Sequence, residues 1–145
     1  MLYIYFTATS DDEAATALEA PEGPAALFPT AAFNGIDPNM QVPRAESFLT
    51  GVGEEAAADN PRAMKLLAEV GEGEVVLVTL TDEFRDAIAA TDQPRRRELA
   101  DFWSHAEDLG GEASAEDLLP VVDELAALAK QAKPTNGHLY CYVAV

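Results

Sequence analysis

Three short apolar runs, one at each end of the chain and one in its middle, constrain the fold more than any other feature. Leu2, Ile4 and Phe6 alternate with Tyr3, Tyr5 and Thr7, the period-two pattern of a strand with two distinct faces. Val75 to Leu80 is an unbroken run of strand length, as expected where both faces of a sheet are covered. His138 to Val145 follows the turn residues Pro134, Asn136 and Gly137 and reads as the last strand. No other segment offers these three a partner, so they are expected in one sheet, with both ends of the chain in it.

The stretches between them read mainly as helices. Ser10 and Asp11 cap a short helix through Glu13 to Ala20, ended by Pro21, Gly23 and Pro24. Residues 27–43 show no sustained period and read as a long ordered loop or a set of short turns, with a brief helix from Arg44 to Thr50 stopped at Gly51. Residues 53–59, acidic and rich in alanine, read as the flexible segment. Asn60 and Pro61 then form a cap and first-turn pair for a helix through Met64, Leu67 and Val70 to Gly71. Thr81 caps a helix over 82–90, and Pro94 opens one carrying Leu99, Phe102, Trp103, Ala106 and Leu109. Ser114 and Asp117 form a capping box for a last long helix. The expectation is one α+β domain over residues 1–145: a small mixed sheet of about three or four strands including both termini, with helices packed mainly on one face.

Charge limits the partners of such a domain. There are 26 Asp and Glu against 9 Lys and Arg, a formal net charge of −17 in 145 residues. Ten acids and one base up to Pro61, then sixteen acids and eight bases, give −9 and −8, so the excess is not an acidic tail. A surface of this sign repels nucleic-acid phosphates and anionic lipid and suits a basic partner, cations, or high solubility. An apolar fraction of 48 % is that of a folding chain, not of a disordered one. No stretch is long and apolar enough for a membrane span, and the N-terminus lacks a signal-peptide pattern, so a cytoplasmic, soluble protein is expected. Ala supplies 27 residues and Lys three, so codon bias or adaptation to a salty cytoplasm also accounts for the acidity. Cys141, the single cysteine, excludes an internal disulfide and reads as a buried small hydrophobe.

Several groups of residues bear on chemistry. Tyr3 and Tyr5, and Tyr140 and Tyr142, are spaced so that each pair shares a sheet face; with His138 they make a candidate aromatic patch if the terminal strands are neighbours. Asp101, His105 and Asp108 fall at i, i+4 and i+7 on one helix column, with Glu98 beside it, a spacing compatible with a divalent cation or with a solvated acidic face. Arg95, Arg96 and Arg97, the one basic cluster, are expected to pair with surrounding acids. The Gly-x-Gly fragments at 51–53 and 71–73 are flanked by acids, which repel phosphate, and no serine sits in a Gly-x-Ser-x-Gly elbow. No cofactor is expected.

The segment Phe33-Asn-Gly-Ile-Asp-Pro, followed by Gln41 and Glu46-Ser-Phe-Leu-Thr-Gly51, together with Leu139-Tyr-Cys-Tyr-Val143, resembles an uncharacterised family of small bacterial proteins with a Gly-Ile-Asp-Pro…Leu-Thr-Gly core. More distantly the order of elements is similar to YfbM-like domains of unknown function. Those continue after Ile-Asp with Lys and a Trp-His pair, where this chain has Pro38, Asn39 and Met40, so no role of that pair transfers. The resemblance implies an α+β domain and no activity. Asp37 before Pro38 initiates a turn, and Asp37, Gln41 and Glu46 form the candidate pocket. The leading functional expectation is a non-enzymatic interaction module, inhibitor or immunity-like, that binds a basic protein. The alternatives are an enzyme using a small ligand or divalent metal, and a domain whose acidity is unrelated to its role. Oligomeric state is left open.

Overall fold

A computed structural model describes residues 2–21, 23–34, 36–106 and 114–144. Five strands form one open sheet in the order β2-β1-β5-β4-β3. They are β1 (Leu2–Ala8), β2 (Thr30–Asn34), β3 (Leu66–Val70), β4 (Val75–Thr79) and β5 (His138–Ala144). The two terminal strands pair directly, Leu2 opposite Ala144 and Ala8 opposite His138, and β4 flanks β5 on its other side, as the apolar runs predict. Two expectations are corrected. The sheet has five strands, not three or four, and all four pairings are antiparallel, so it is not mixed.

Six α-helices lie among the described residues: α1 (Asp11–Ala15), α2 (Pro38–Thr50), α3 (Glu54–Ala58), α4 (Asp82–Ala89), α5 (Gln93–Ser104) and α6 (Ala115–Ala132). Their starts follow local side-chain chemistry. Ser10, Asp37, Thr81, Asp92 and Ser114 each accept a hydrogen bond from a first-turn amide, and Ser114 and Asp117 complete the capping box. Gly51 ends α2 in the left-handed region at φ 80°, where a side chain would be strained. Pro43 and Pro120 lie inside α2 and α6, the latter close enough to the first turn to be tolerated.

Three segments depart from the sequence expectation. Residues 27–43 are not one loop: Thr30–Asn34 pairs with β1 as an edge strand, and α2 already begins at Pro38. The helix expected from Pro61 to Gly71 is instead turns followed by β3, joined to β4 by a tight turn in which Gly71 and Glu72 have positive φ. Residues 54–58, expected to be flexible, form α3.

The core follows from strand alternation. On one face Tyr3, Tyr5, Val78, Leu80, Leu139, Cys141 and Val143 pack with apolar side chains of α2, α4, α5 and α6, including the fully buried Trp103 and Leu125. The other face carries a smaller cluster of Phe6, Leu77 and Tyr140 under Ala14 and Ala17, so its cover is α1 and the 3₁₀ turn after it. Helices therefore do lie mainly on one side.

Candidate functional site

The side of the sheet bounded by β3 is the least covered. Leu66 and Val70 are 53 % and 51 % exposed, large apolar side chains at the two ends of a five-residue edge strand. A register shift between Leu66 and Ala68 bulges the strand, and Glu69, Glu72 and Glu74 surround the hairpin tip. A strand end of this kind offers backbone donors and acceptors beside apolar side chains, in a strongly negative field.

Polar side chains also gather near the start of α1 and at the β4–α4 junction. Arg62 grips the Asp11 carboxylate with both terminal nitrogens, at 3.1 and 3.2 Å, and the Tyr140 hydroxyl donates to the same carboxylate at 2.7 Å. The Arg62 guanidinium holds the Asp11 carboxyl below its ordinary range, while burial and the neighbouring carboxylate push the Tyr140 hydroxyl up. The Arg62 Nε is buried with no hydrogen-bond partner among the described residues. Next to Tyr140, His138 Nδ1 lies 2.7 Å from Asp82, whose carboxylate also lies 3.4 Å from Arg85. Arg85 in turn donates to the Gly137 carbonyl at 2.6 Å, which ties the start of β5 to α4. A carboxylate-oriented imidazole is proton-transfer chemistry in kind, but none of these six side chains lines a principal cavity. These groups brace the sheet. Sequence reasoning missed Asp11, Arg62 and Asp82 because the pairs are 51 and 56 residues apart and no local spacing signals them.

The residues singled out from sequence are distributed as follows. Tyr3 and Tyr5 share one face, and His138, Tyr140 and Tyr142 the opposite one, because Tyr3 pairs with Val143 and Tyr5 with Cys141. The four rings therefore do not form one patch. Tyr5 donates to the Ile36 carbonyl inside the core, and Tyr140 stacks on Phe6 at 5.4 Å. Asp37 caps α2 by accepting from the Asn39 amide at 2.9 Å. Gln41 and Glu46 are buried further along the same helix. The Glu46 carboxylate accepts from the Thr81 hydroxyl, and burial pushes its pKa up. It lines a small cavity that includes neither Asp37 nor Gln41, so the expected trio is not assembled.

Asp101 and His105 line an open groove of about 580 Å³ between α2 and α5, with Arg44, Phe48, Glu98 and Phe102. Its floor is a stacked ring pair, Phe48 and Phe102, 4.6 Å apart, and Arg95 lies over Phe48 at 4.6 Å. The His105 Nδ1 lies 2.8 Å from the Asp101 backbone carbonyl of its own helix. Asp108 lies outside the described residues. Among those described, no three His, Cys, Asp or Glu come together as a metal site. Arg95 pairs with Glu98 and Arg96 with Asp123, as expected of the basic cluster. Burial pushes the Cys141 thiol up, which keeps it an inert part of the core. No described helix is long and apolar enough to cross a membrane. Comparison with protein-family models, with curated proteins and with solved structures gave no match to this chain.

Proposed function

We propose that this protein is a non-enzymatic binding module that takes an extended, basic segment of a partner protein onto the edge of β3. The observation that carries this reading is the pairing of half-exposed Leu66 and Val70 with the surrounding Glu69, Glu72 and Glu74 on an edge strand. Strand addition gains its affinity from main-chain hydrogen bonds and its specificity from alternate side chains. Here Leu66 and Val70, which the bulge puts on opposite faces, favour Val or Ile in the partner, and Glu69 and the following Glu72 and Glu74 favour Lys or Arg. A second copy of this chain is disfavoured at the same edge. It would bring together two bodies that each carry a net charge of −17. The field also predicts fast association that salt suppresses.

Titration of the isotopically labelled protein with a peptide of about ten residues, alternating Lys and Val, tests this by amide chemical shifts. Shifts are expected to centre on residues 66–70, with affinity falling as salt rises from 0.1 to 1 M and the Debye length shrinks from about 10 to about 3 Å. A Leu66→Lys, Val70→Lys variant should lose the interaction, and a Glu-Val peptide should show none. Unchanged binding by the lysine variant, or shifts centred elsewhere, refutes the proposal.

A further inference from the structure

We propose a second docking surface, which does not rest on strand pairing at the β3 edge. It is the uncovered end of the sheet face that carries Phe6, Leu77 and Tyr140, and its occupant is a basic amphipathic helix of a partner protein.

Strand register assembles the surface. Leu2 stands opposite Ala144, Ala144 opposite Val75, and Val75 opposite Val70, so one apolar row crosses four strands on one face. Ile4 and Tyr142 form the row behind it on β1 and β5. The cover of this face stops there. Gly23 lies on the Tyr142 ring, where an added Cβ would meet Cζ at 3.5 Å, and α1 with the turn after it packs over Phe6, Leu77 and Tyr140. Leu2 is consequently 39 % exposed and Val70 51 %, and Ile4, Val75, Tyr142 and Ala144 are half-buried. Tyr3 and Val143, next to them in the chain but on the helix-covered face, are 6 % and 8 % exposed.

The form of the occupant follows from the backbone. β1, β5 and β4 each have a hydrogen-bonded strand on both sides, so an incoming segment meets side chains and no free main-chain ladder. A helix satisfies its own backbone and needs only an apolar face in return, as α2, α4, α5 and α6 find on the other side of the sheet. Strands about 4.8 Å apart make the row about 14 Å wide, the length of about ten helical residues. The charge of the occupant follows from the sequence. Residues 1–43, 66–79 and 134–145 supply every strand and the cover of this face; they contain six, three and no Asp or Glu respectively, and no Lys or Arg at all. Glu72 and Glu74, both exposed, stand at the hairpin tip beside Val70 and Val75, and Glu19 follows Leu18, which packs on the same small cluster as Tyr142. Arg62 does reach this face, but over Tyr140 and bound to Asp11, away from the row. Lys and Arg along the flanks of an incoming apolar stripe therefore find acids to meet, whereas a second copy of this chain would set acids against acids.

The probe is a synthetic peptide of about 18 residues, long enough to hold a helix, with Leu along one stripe, Lys at its flanks and Ala elsewhere. Titrated into the labelled protein, it should give saturable shifts of the amides of residues 2, 4, 75, 142 and 144. Leu2→Thr with Val75→Thr removes apolar contact without changing charge or strand preference, and should weaken binding at least about tenfold. Leu66→Thr, on the opposite face of the β3 edge, should leave binding of this peptide unchanged while weakening that of the extended Lys-Val peptide, which separates the two surfaces. Absence of saturable shifts, or undiminished affinity in the double variant, overturns the proposal. Equal binding by a peptide of the same composition with its stripe scrambled does so too, since charge alone then suffices. Shifts confined to residues 66–70 would place the peptide on the β3 edge, and concentration-dependent shifts of residues 2, 75 and 144 in the protein alone would place a second copy on the face; either result overturns it. Should the double variant fail to fold, Leu2→Thr alone decides, with an expected loss of at least about threefold.

Discussion

Replacing Asp11 by alanine removes the one carboxylate that serves both the Arg62 guanidinium and the Tyr140 hydroxyl. Tyr140 is fully buried, so its hydroxyl loses a charge-assisted hydrogen bond, a cost of about 2 kcal/mol. The Arg62 pair is partly exposed, at 22 % and 34 % for the two side chains, and after discounting for solvent contributes about 0.5 kcal/mol. Loss of an acid from the first turn of α1 adds about 0.3 kcal/mol. The total is about 3 kcal/mol, or roughly 6–12 °C in Tm for a domain of this size. Urea unfolding at pH 7 measures it. The pH dependence has a definite sign. The folded carboxyl lies below its unfolded value, so its stabilisation is fully present above about pH 4 and is lost as pH falls through the folded pKa. Wild type and variant should therefore converge in acid. Tyr140→Phe in both backgrounds should reveal a coupling of about 1.5 kcal/mol. A loss below about 1 kcal/mol, or strict additivity with Tyr140→Phe, refutes the assignment of Asp11 as the shared acceptor.

Two further outcomes are expected. Burial raises the Glu46 pKa, so the fold disfavours its ionised form and gains stability as pH falls through the folded value toward the ordinary carboxylate range. Glu46→Gln should match or exceed the wild type in urea at pH 7, and its advantage should shrink at pH 5; an advantage that grows contradicts the burial argument. Gly137→Ala would place a Cβ 2.8 Å from the Ala8 backbone carbonyl, where β5 enters beside β1. That clash should cost about 1–3 kcal/mol in thermal or urea unfolding, and a neutral substitution would show that the strand entry can shift.

The parts of the fold that could be read in the sequence are those where local chemistry and tertiary role agree. β1, β4 and β5 show their periodicity openly, and Ser10, Thr81 and Ser114 cap the helices they announce. β2 was hidden because Ala31 and Ala32 carry almost no hydrophobic contrast, and because Asp37-Pro38 is both a turn initiator and a helix start. β3 was hidden by its bulge: the extra residue between Leu66 and Ala68 breaks period two and leaves Leu67 and Val70 at helical spacing. Register decided the tyrosines. Antiparallel pairing of β1 with β5 puts odd-numbered residues opposite odd-numbered ones, so Tyr3 and Tyr5 cannot share a face with Tyr140 and Tyr142. Of the expected pocket, Glu46 alone lines a cavity, because Asp37 caps one end of α2 and Gln41 does not reach that chamber.

The position of β5 between β1 and β4 governs how the molecule can assemble. Without β5 the sheet falls into two separate hairpins, β1–β2 and β3–β4, and two-stranded ribbons are marginal in water. As the chain leaves the ribosome, both hairpins and four of the strands emerge before the element that joins them. The sheet thus closes in one late, long-range step that sets residue 2 against residue 144, with the loop-closure entropy and the slow folding such a contact implies. Before that step the two hairpins have no strand between them, and a net charge of −17 works against association of chains whose apolar faces are still uncovered.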